Sequence, residues 1–419
     1  MAAIKTMEVF VNSPGRNFVT VRITDVDGVV GLGDGTVNGR ELAVASYLKD
    51  HLLPLMIGRD ADNIEDTWQY LYRGAYWRRG PITMTSIAAI DMALWDIKAK
   101  RAQLPLYQLL GGRSREGCLA YGHASGREMS EIMDSIHEHL GKGYRAIRVQ
   151  SAVPGLESVY GVAQSVNGQT GTGRADASSR YDYEPARRST RPVEEAWDTR
   201  AYLNHIPSVF EAIRSEFGPE LPLLHDAHHR LTPIQAAKLG KSLEPYDLFW
   251  LEDLTPAENT DAFRLIRRHT TTPLAVGEIF NTIWDYKDLF EEQLIDYVRS
   301  PVSHGGGITA LKKIFDYAAV YQIKSGVHGP TDVSPIGHAA SIQLGLAIHN
   351  YGISEYMQHA QVTNDVFKPT YYLEDGLIKV GDQVGLGVDF DSDLADQFEY
   401  EPAYLPVNRM KLDGTIHDW

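Results

Sequence analysis

Cys118 is the only cysteine in 419 residues. No intrachain disulfide can form, and a reducing compartment is expected. No apolar run reaches the ~18 residues needed to span a bilayer. The opening "MAAIKTMEVFV" enters a strand-like pattern without a signal-peptide core. The expected location is cytoplasmic, with no membrane partner. Positive charge is also short. The chain has 40 Lys and Arg against 55 Asp and Glu, a formal net charge of −15. That excludes nucleic acid as the main partner, because phosphate binding needs a basic face. An anionic small molecule remains possible where a metal and local arginines reverse the field inside a pocket. No low-complexity tract is present. No G-x-G-x-x-G follows a first strand, which leaves a dinucleotide-binding sheet unsupported.

With 43% hydrophobic and 23% charged residues, the composition is that of an ordinary globular protein, and its length predicts roughly two or three domains. From Ile4 to about Gly33 apolar and polar residues alternate, and Asp27-Gly28 marks a hairpin. Asn38 and Arg40 follow in a Gly-bounded loop. From Glu41 to about Leu110 the period becomes helical, as in "TSIAAIDMALWDIKAKRA". Residues 1–117 are therefore expected to form an N-terminal α+β unit. From Cys118 onward short apolar strands alternate with helices: "CLAYGH", "RAIRVQ", "LPLLHDAH", "LFWLEDL", "LAVGEIF", "DYVRSPV", "IKSGVHG" and "ISEYM". Repeated βα units of this kind predict an α/β fold with a parallel TIM-type barrel over 118–372; an open doubly wound sheet is the runner-up. A long Gly-, Ser-, Arg- and Pro-rich insert at 151–199 should lie over the barrel mouth. Its Arg187, Arg188 and Arg191 are expected on a solvated or subunit-contacting face. The segment 373–419 reads as irregular and is expected to pack back on the cap and barrel mouth.

Three of the candidate strands end in acids. Asp226, Glu252 and Glu278 recur at an interval of 26 residues, the length of one strand, loop, helix and loop. A barrel would carry such side chains to one rim, where carboxylates repel unless a cation lies between them. Oxygen-only ligation suits Mg²⁺. In a chain this acidic, the same spacing also fits unrelated strand ends. Other strand ends are polar as well. Arg148 shares a face with Ala146 and Gln150, and His228 lies two residues beyond Asp226, on the same face of an extended strand. His225 points to the opposite face, and His229 reads as structural or exposed. Arg299, His328 and Glu355 end the sixth, seventh and eighth strands, and Asp332 follows His328 by four. One polar residue at a barrel rim means little; a set of them is costly unless it meets a ligand.

The segments "NFVTVRITDVDGVVGLGDGTVNGRE", "YWRRGPITMTSIAAIDMALWDIKAK", "PLYQLLGG", "HDAHHRLTP", "AVGEIFNTIWD", "HGGGIT", "VHGPTDVSP" and "EPAYLPV" resemble the enolase superfamily, and more narrowly its mannonate dehydratase group, along nearly the whole chain. The resemblance implies an α+β capping domain built from both termini and a (β/α)₇β barrel. Superfamily members commonly carry a Lys-x-Lys pair on the second barrel strand, which here reads Arg148-Val149-Gln150. The mannonate group uses instead an arginine there and a tyrosine in the following loop, positions that fall on Arg148 and Tyr160. The resemblance further implies Mg²⁺ on Asp226, Glu252 and Glu278, with His228 as acid. It also implies substrate contacts from Asn38, His123, Glu278, Arg299, His328, Asp332 and Glu355. A tyrosine base needs a positive neighbour. One arginine ~4 Å away at an effective dielectric near 20 supplies about 4 kcal/mol, roughly the three pH units between a free phenol and neutrality.

The implied activity is Mg²⁺-dependent dehydration of D-mannonate or D-gluconate to 2-keto-3-deoxy-D-gluconate, in a homo-oligomer. Three departures bear on it. Leu254 replaces the residue, often proline, after the Glu252-Asp253 pair, and His417 stands beside Trp419 where relatives often have two tryptophans. Pro330 occupies a position where alanine accompanies efficient, mannonate-specific members and proline accompanies weak or silent ones. Low efficiency is therefore expected. Dehydration of another acid sugar, or a sensing or regulatory role with an intact metal site, are the alternatives.

Overall fold

A computed structural model describes residues 2–162 and 191–418. Arg187, Arg188 and Trp419 fall outside the described residues. Three antiparallel strands, β1 (Ile4–Asn12), β2 (Phe18–Asp25) and β3 (Val30–Asp34), open the chain. The β2–β3 turn forms where Asp27-Gly28 marks it. Asp25 Oδ1 accepts the Asp27 and Val29 N–H groups, each at 2.9 Å, and Gly28 adopts φ +83°. The helix Pro81–Arg101 then packs under this sheet. Its backbone comes so close that a Cβ on Gly33 would lie 1.8 Å from Ala89 O, so only glycine fits there. The helix is apolar almost all round because it is covered twice, by the sheet and by the barrel helix Gly307–Val320. Across that second contact Asp91 Oδ2 accepts the Thr309 N–H at 3.0 Å. Burial pushes the Asp91 carboxyl up to about 7.

Eight parallel strands follow: β4 (Cys118–Gly126), β5 (Ala146–Ser151), then, beyond a short β6 (Glu194–Trp197), β7 (Leu223–Asp226), β8 (Trp250–Glu252), β9 (Leu274–Val276), β10 (Tyr297–Val298), β11 (Lys324–Val327) and β12 (Tyr351–Glu355). β12 pairs back onto β4 through Ser354↔Ala120 and Glu355↔Tyr121, which closes the barrel. All eight candidate strands of the sequence are present. The floor of the barrel is packed with Tyr121, Ala146, Leu224, Trp250, Ala275 and Ile353.

The tail is more ordered than its sequence suggests. A hairpin of β13 (Tyr372–Glu374) and β14 (Leu377–Lys379) adds antiparallel to the start of β4. β15 (Val407–Met410) runs parallel to β6 and antiparallel to β16 (Ile416–His417), so the chain's last strands pair with the end of the long insert. These strands have two to four residues each, too few to show a period. The tail also ties to the cap, where Asn17 Nδ2 donates to Glu401 O at 2.7 Å and Ser13 N to Phe398 O at 3.0 Å. Among the described residues, no helix is long and apolar enough to cross a membrane.

Candidate active site

Two residues further along the same inward faces, the packing floor gives way to charge. Tyr121 is followed by His123, Ala146 by Arg148, Leu224 by Asp226, Trp250 by Glu252 and Ile353 by Glu355. β9 departs from this pattern. It stops at Val276, Gly277 takes φ +132°, and Glu278 enters from the turn beyond. Arg299 and His328 likewise stand one residue past β10 and β11.

One oxygen from each of Asp226, Glu252 and Glu278 lies within 4.8 Å of the others. Two arginines hold the group together. Arg148 Nη1 is 2.8 Å from Asp226 Oδ2 and 3.7 Å from Glu252 Oε1. Arg299 Nη2 reaches Glu252 Oε1 at 2.9 Å, Glu278 Oε2 at 3.2 Å and Glu355 Oε2 at 3.0 Å. Trp250 Nε1 donates to the second oxygen of Glu252 at 2.6 Å, tying floor to rim. The two cations offset the acids unevenly: against burial, His228 and Arg148 hold the Asp226 carboxyl well below its usual range, whereas the other two stay raised. Burial drives the Glu252 carboxyl well above its usual range despite Arg299, with Asp226 adding repulsion. Glu278 is raised in the same way by burial and by Asp253. An added divalent cation would relieve that penalty, and an oxygen-only donor set matches a hard ion such as Mg²⁺. A second group, His229, Asp253 and Glu278, also brings its donor atoms within 4.8 Å, with one nitrogen among them. His229 is thus buried, not exposed, and its Nδ1 contacts Thr255 O at 2.9 Å.

His228 corrects the extended-strand reading. β7 ends at Asp226, and His228 has φ +47°, in the left-handed region. It reaches the site through a local turn in which Asp226 Oδ1 accepts the His228 backbone N–H at 2.7 Å. The ring then points Nε2 at Asp226 Oδ2, 2.8 Å away, and Nδ1 at Gln150 Nε2, 3.1 Å away. Burial lowers its pKa to about 3, against the pull of Asp226. The Tyr160 ring meets His228 edge-on, with centroids 5.0 Å apart at 86°. His225 faces away as expected, with Nδ1 3.0 Å from Val149 O and Nε2 2.7 Å from Tyr202 OH.

Above these groups is a cavity of about 270 Å³. Asn38, Arg148, Tyr160, His228, Glu278, His328, Asp332 and Glu355 line it, as does Pro330. Asp226, Glu252, His123 and Arg299 stand behind this lining. His123 Nε2 is 2.7 Å from Glu355 Oε1, and burial takes that histidine down to about 4. Arg299, His123 and His328 hold Glu355 well below the carboxylate range although burial opposes them. Hydrogen-bonding capacity is left over at the wall. Arg148 Nε, His328 Nδ1 and Asp332 Oδ1 are buried without a partner among the described residues. Unused donors and an acceptor around a cavity suit a polyhydroxylated ligand.

Val37 and Pro81 from the cap, Ile279, Asn281 and His304 from barrel loops, and Leu405 from the tail complete the wall. Sequence reasoning missed these. Only "HGGGIT" offered a signal, since its histidine precedes a Gly-rich helix start; His304 Nε2 is 3.2 Å from Thr36 O in the loop that carries Asn38.

Known proteins share this architecture. An enolase C-terminal domain-like family matches residues 131–394, and the N-terminal domain of mandelate racemase / muconate lactonizing enzyme matches residues 7–111. A protein of Pseudarthrobacter chlorophenolicus named as a D-galactonate dehydratase family member is 64% identical over 413 residues, 98% of each chain. One of Rhizorhabdus wittichii named D-mannonate dehydratase is 55% identical over 411 residues, again 98% of each. The crystal structure of an enolase from Pantoea ananatis with bound D-gluconate and Mg covers 100% of both chains, with a TM-score of 0.88 at 36% identity.

Proposed function

The chain belongs to the enolase superfamily, and on that premise we propose that it is a Mg²⁺-dependent sugar-acid dehydratase acting on D-mannonate, D-gluconate or both. One observation carries the reading: three carboxylates able to share a cation and the Arg148, Tyr160 and His228 side chains meet at one cavity. Asp226, Glu252 and Glu278 would hold the metal. When bound, it supplies the positive charge that stabilises a sugar carboxylate as negative charge develops on deprotonation at C2.

This chain's own residues do the rest. Tyr160 removes the C2 proton, with the Arg148 guanidinium supplying positive charge in the same cavity. His228, whose ring meets Tyr160 edge-on, delivers a proton to the C3 hydroxyl, which departs as water; the arriving sugar carboxylate offsets the burial that otherwise keeps the ring neutral. The enol that remains becomes a 2-keto-3-deoxy sugar acid. Asn38, Glu278, His328, Asp332 and Glu355 face the sugar, while His123 and Arg299 hold the carboxylates behind them. Burial keeps solvent from the departing group and strengthens each of these contacts.

Turnover is proposed to be slow. Pro330 lines the cavity, and its carbonyl takes a 3.0 Å contact from His338 Nε2 and a hydrogen bond from Val333 N at 3.1 Å. With φ also fixed by the ring, the segment between His328 and Asp332 is pinned and cannot adjust to each sugar. A cytoplasmic homo-oligomer remains the expected setting.

The test is 2-keto acid formation by the purified protein with Mg²⁺ against a panel of acid sugars. Slow turnover of mannonate or gluconate supports the reading. Turnover of a different stereoisomer alone makes it a dehydratase of another acid sugar. Rapid turnover of mannonate alone refutes the role given to Pro330, and silence across the panel favours a regulatory protein.

A further inference from the structure

Gln150 stands where the superfamily's second lysine would be, and neither the metal nor the sugar is assigned to it. It is buried in the site wall, and its carboxamide has two neighbours. On one side Nε2 is 3.1 Å from His228 Nδ1. On the other, a Cβ placed on Gly161, the residue after Tyr160, would lie 2.3 Å from Gln150 Oε1. Gly161 has φ +86° and so adopts a backbone that glycine favours, in direct contact with that oxygen. One side chain is therefore wedged between the His228 ring and the loop carrying Tyr160.

The imidazole is held at both nitrogens, Nε2 by Asp226 at 2.8 Å and Nδ1 by Gln150 at 3.1 Å. A ring fixed at both ends cannot flip, so Nε2 stays beside Asp226 and Nδ1 beside Gln150. A carboxamide has one donor edge and one acceptor edge. It can engage Nδ1 whether or not that nitrogen carries hydrogen, whereas an aliphatic side chain of the same length can do neither.

We propose that Gln150 is a positioning residue that fixes the orientation of the His228 ring through Nδ1, serving the protonation half of the reaction and not the C2–H half. The inference rests on the dehydratase reading, and the two can fail separately. The tests use the full chain with Mg²⁺ and either D-mannonate or D-gluconate, whichever turns over. Gln150→Met should lower kcat for dehydration ~10²-fold, the smaller end of what general acid catalysis contributes. KM should change less than ~3-fold, and C2 hydrogen exchange with D₂O, the Tyr160 half, should continue within a few-fold of wild type. A rate for Gln150→Met within ~3-fold of wild type would overturn the proposal. So would a parallel loss of exchange and dehydration, which marks a merely structural role. A protein that turns over no acid sugar refutes the dehydratase reading instead. The geometry is then decided by ¹⁵N NMR of histidine-labelled protein, with His228 assigned through His228→Gln. The His228 Nδ1 resonance should carry a hydrogen-bond shift that Gln150→Met loses, and an unchanged resonance sinks the inference.

Discussion

The floor and the mouth of the barrel are built on the same strands, about 6–7 Å apart at two residues of rise, yet they follow opposite rules. On the floor, Leu224, Trp250 and Ile353 fill space with apolar volume; at the mouth, Asp226, Glu252 and Glu355 keep charge out of water. The floor gains from burial. The mouth is penalised by it, as the upward push on Glu252 and Glu278 records. A single β-strand thus carries stability at one end and chemistry at the other, and the Trp250–Glu252 hydrogen bond is where the two meet.

The division can be tested from both ends. The largest effect should come from the mouth. Removing divalent cations with a chelator should abolish turnover completely, and Mg²⁺ should restore it. The same ion at about 100 times its Kd should raise unfolding stability by about 2.7 kcal/mol, read from denaturant midpoints. If activity survives exhaustive chelation, the carboxylate group is not a metal site. Next, Tyr160→Phe should cost at least ~10³-fold in kcat, within the range of a lost general base, with an unchanged unfolding midpoint. A fall in both would place Tyr160 on the structural side of the division.

From the floor, Ile353→Ala should lose about 2–5 kcal/mol of stability through the cavity it leaves and leave kcat within a few-fold. A selective loss of activity would show that the floor also tunes the site. The last test concerns a buried acid of the cap helix Pro81–Arg101. Folded protein keeps the Asp91 proton up to about pH 7, whereas an unfolded aspartate releases it near 3.9. Between those values the folded state binds more protons, so stability falls as pH rises, by at most about 1.4 kcal/mol per pH unit. Asp91→Asn should flatten that slope in urea unfolding compared at pH 5 and pH 8; equal slopes would mean that Asp91 is already ionised in the folded chain.

Much of this was legible before any coordinates. The 26-residue recurrence of Asp226, Glu252 and Glu278 is a direct print of the βα repeat, and the eight strands followed from their apolar runs. What escaped has physical causes. His228 reaches its partner through a left-handed turn, which alternation along a strand cannot reveal. Glu278 follows a glycine kink, not a strand end. β6, β15 and β16 are too short for periodicity, and only their pairing with one another makes them strands. Val37, Pro81, His304 and Leu405 come from four separate segments and share nothing but the cavity. Gln150 was visible as the absence of a lysine; its contacts with His228 and Gly161 were not.

The pairing of β15 with β6, and of β16 with β15, has a consequence for biosynthesis. On the ribosome the cap strands and the Asp226, Glu252 and Glu278 carboxylates emerge before the tail. The segment bearing Leu405, and the strand β15 that pairs with the end of the insert, follow them. Such distant pairings close slowly. A nascent chain stalled before β15 should therefore already hold its three clustered carboxylates but lack the Leu405 wall of the cavity.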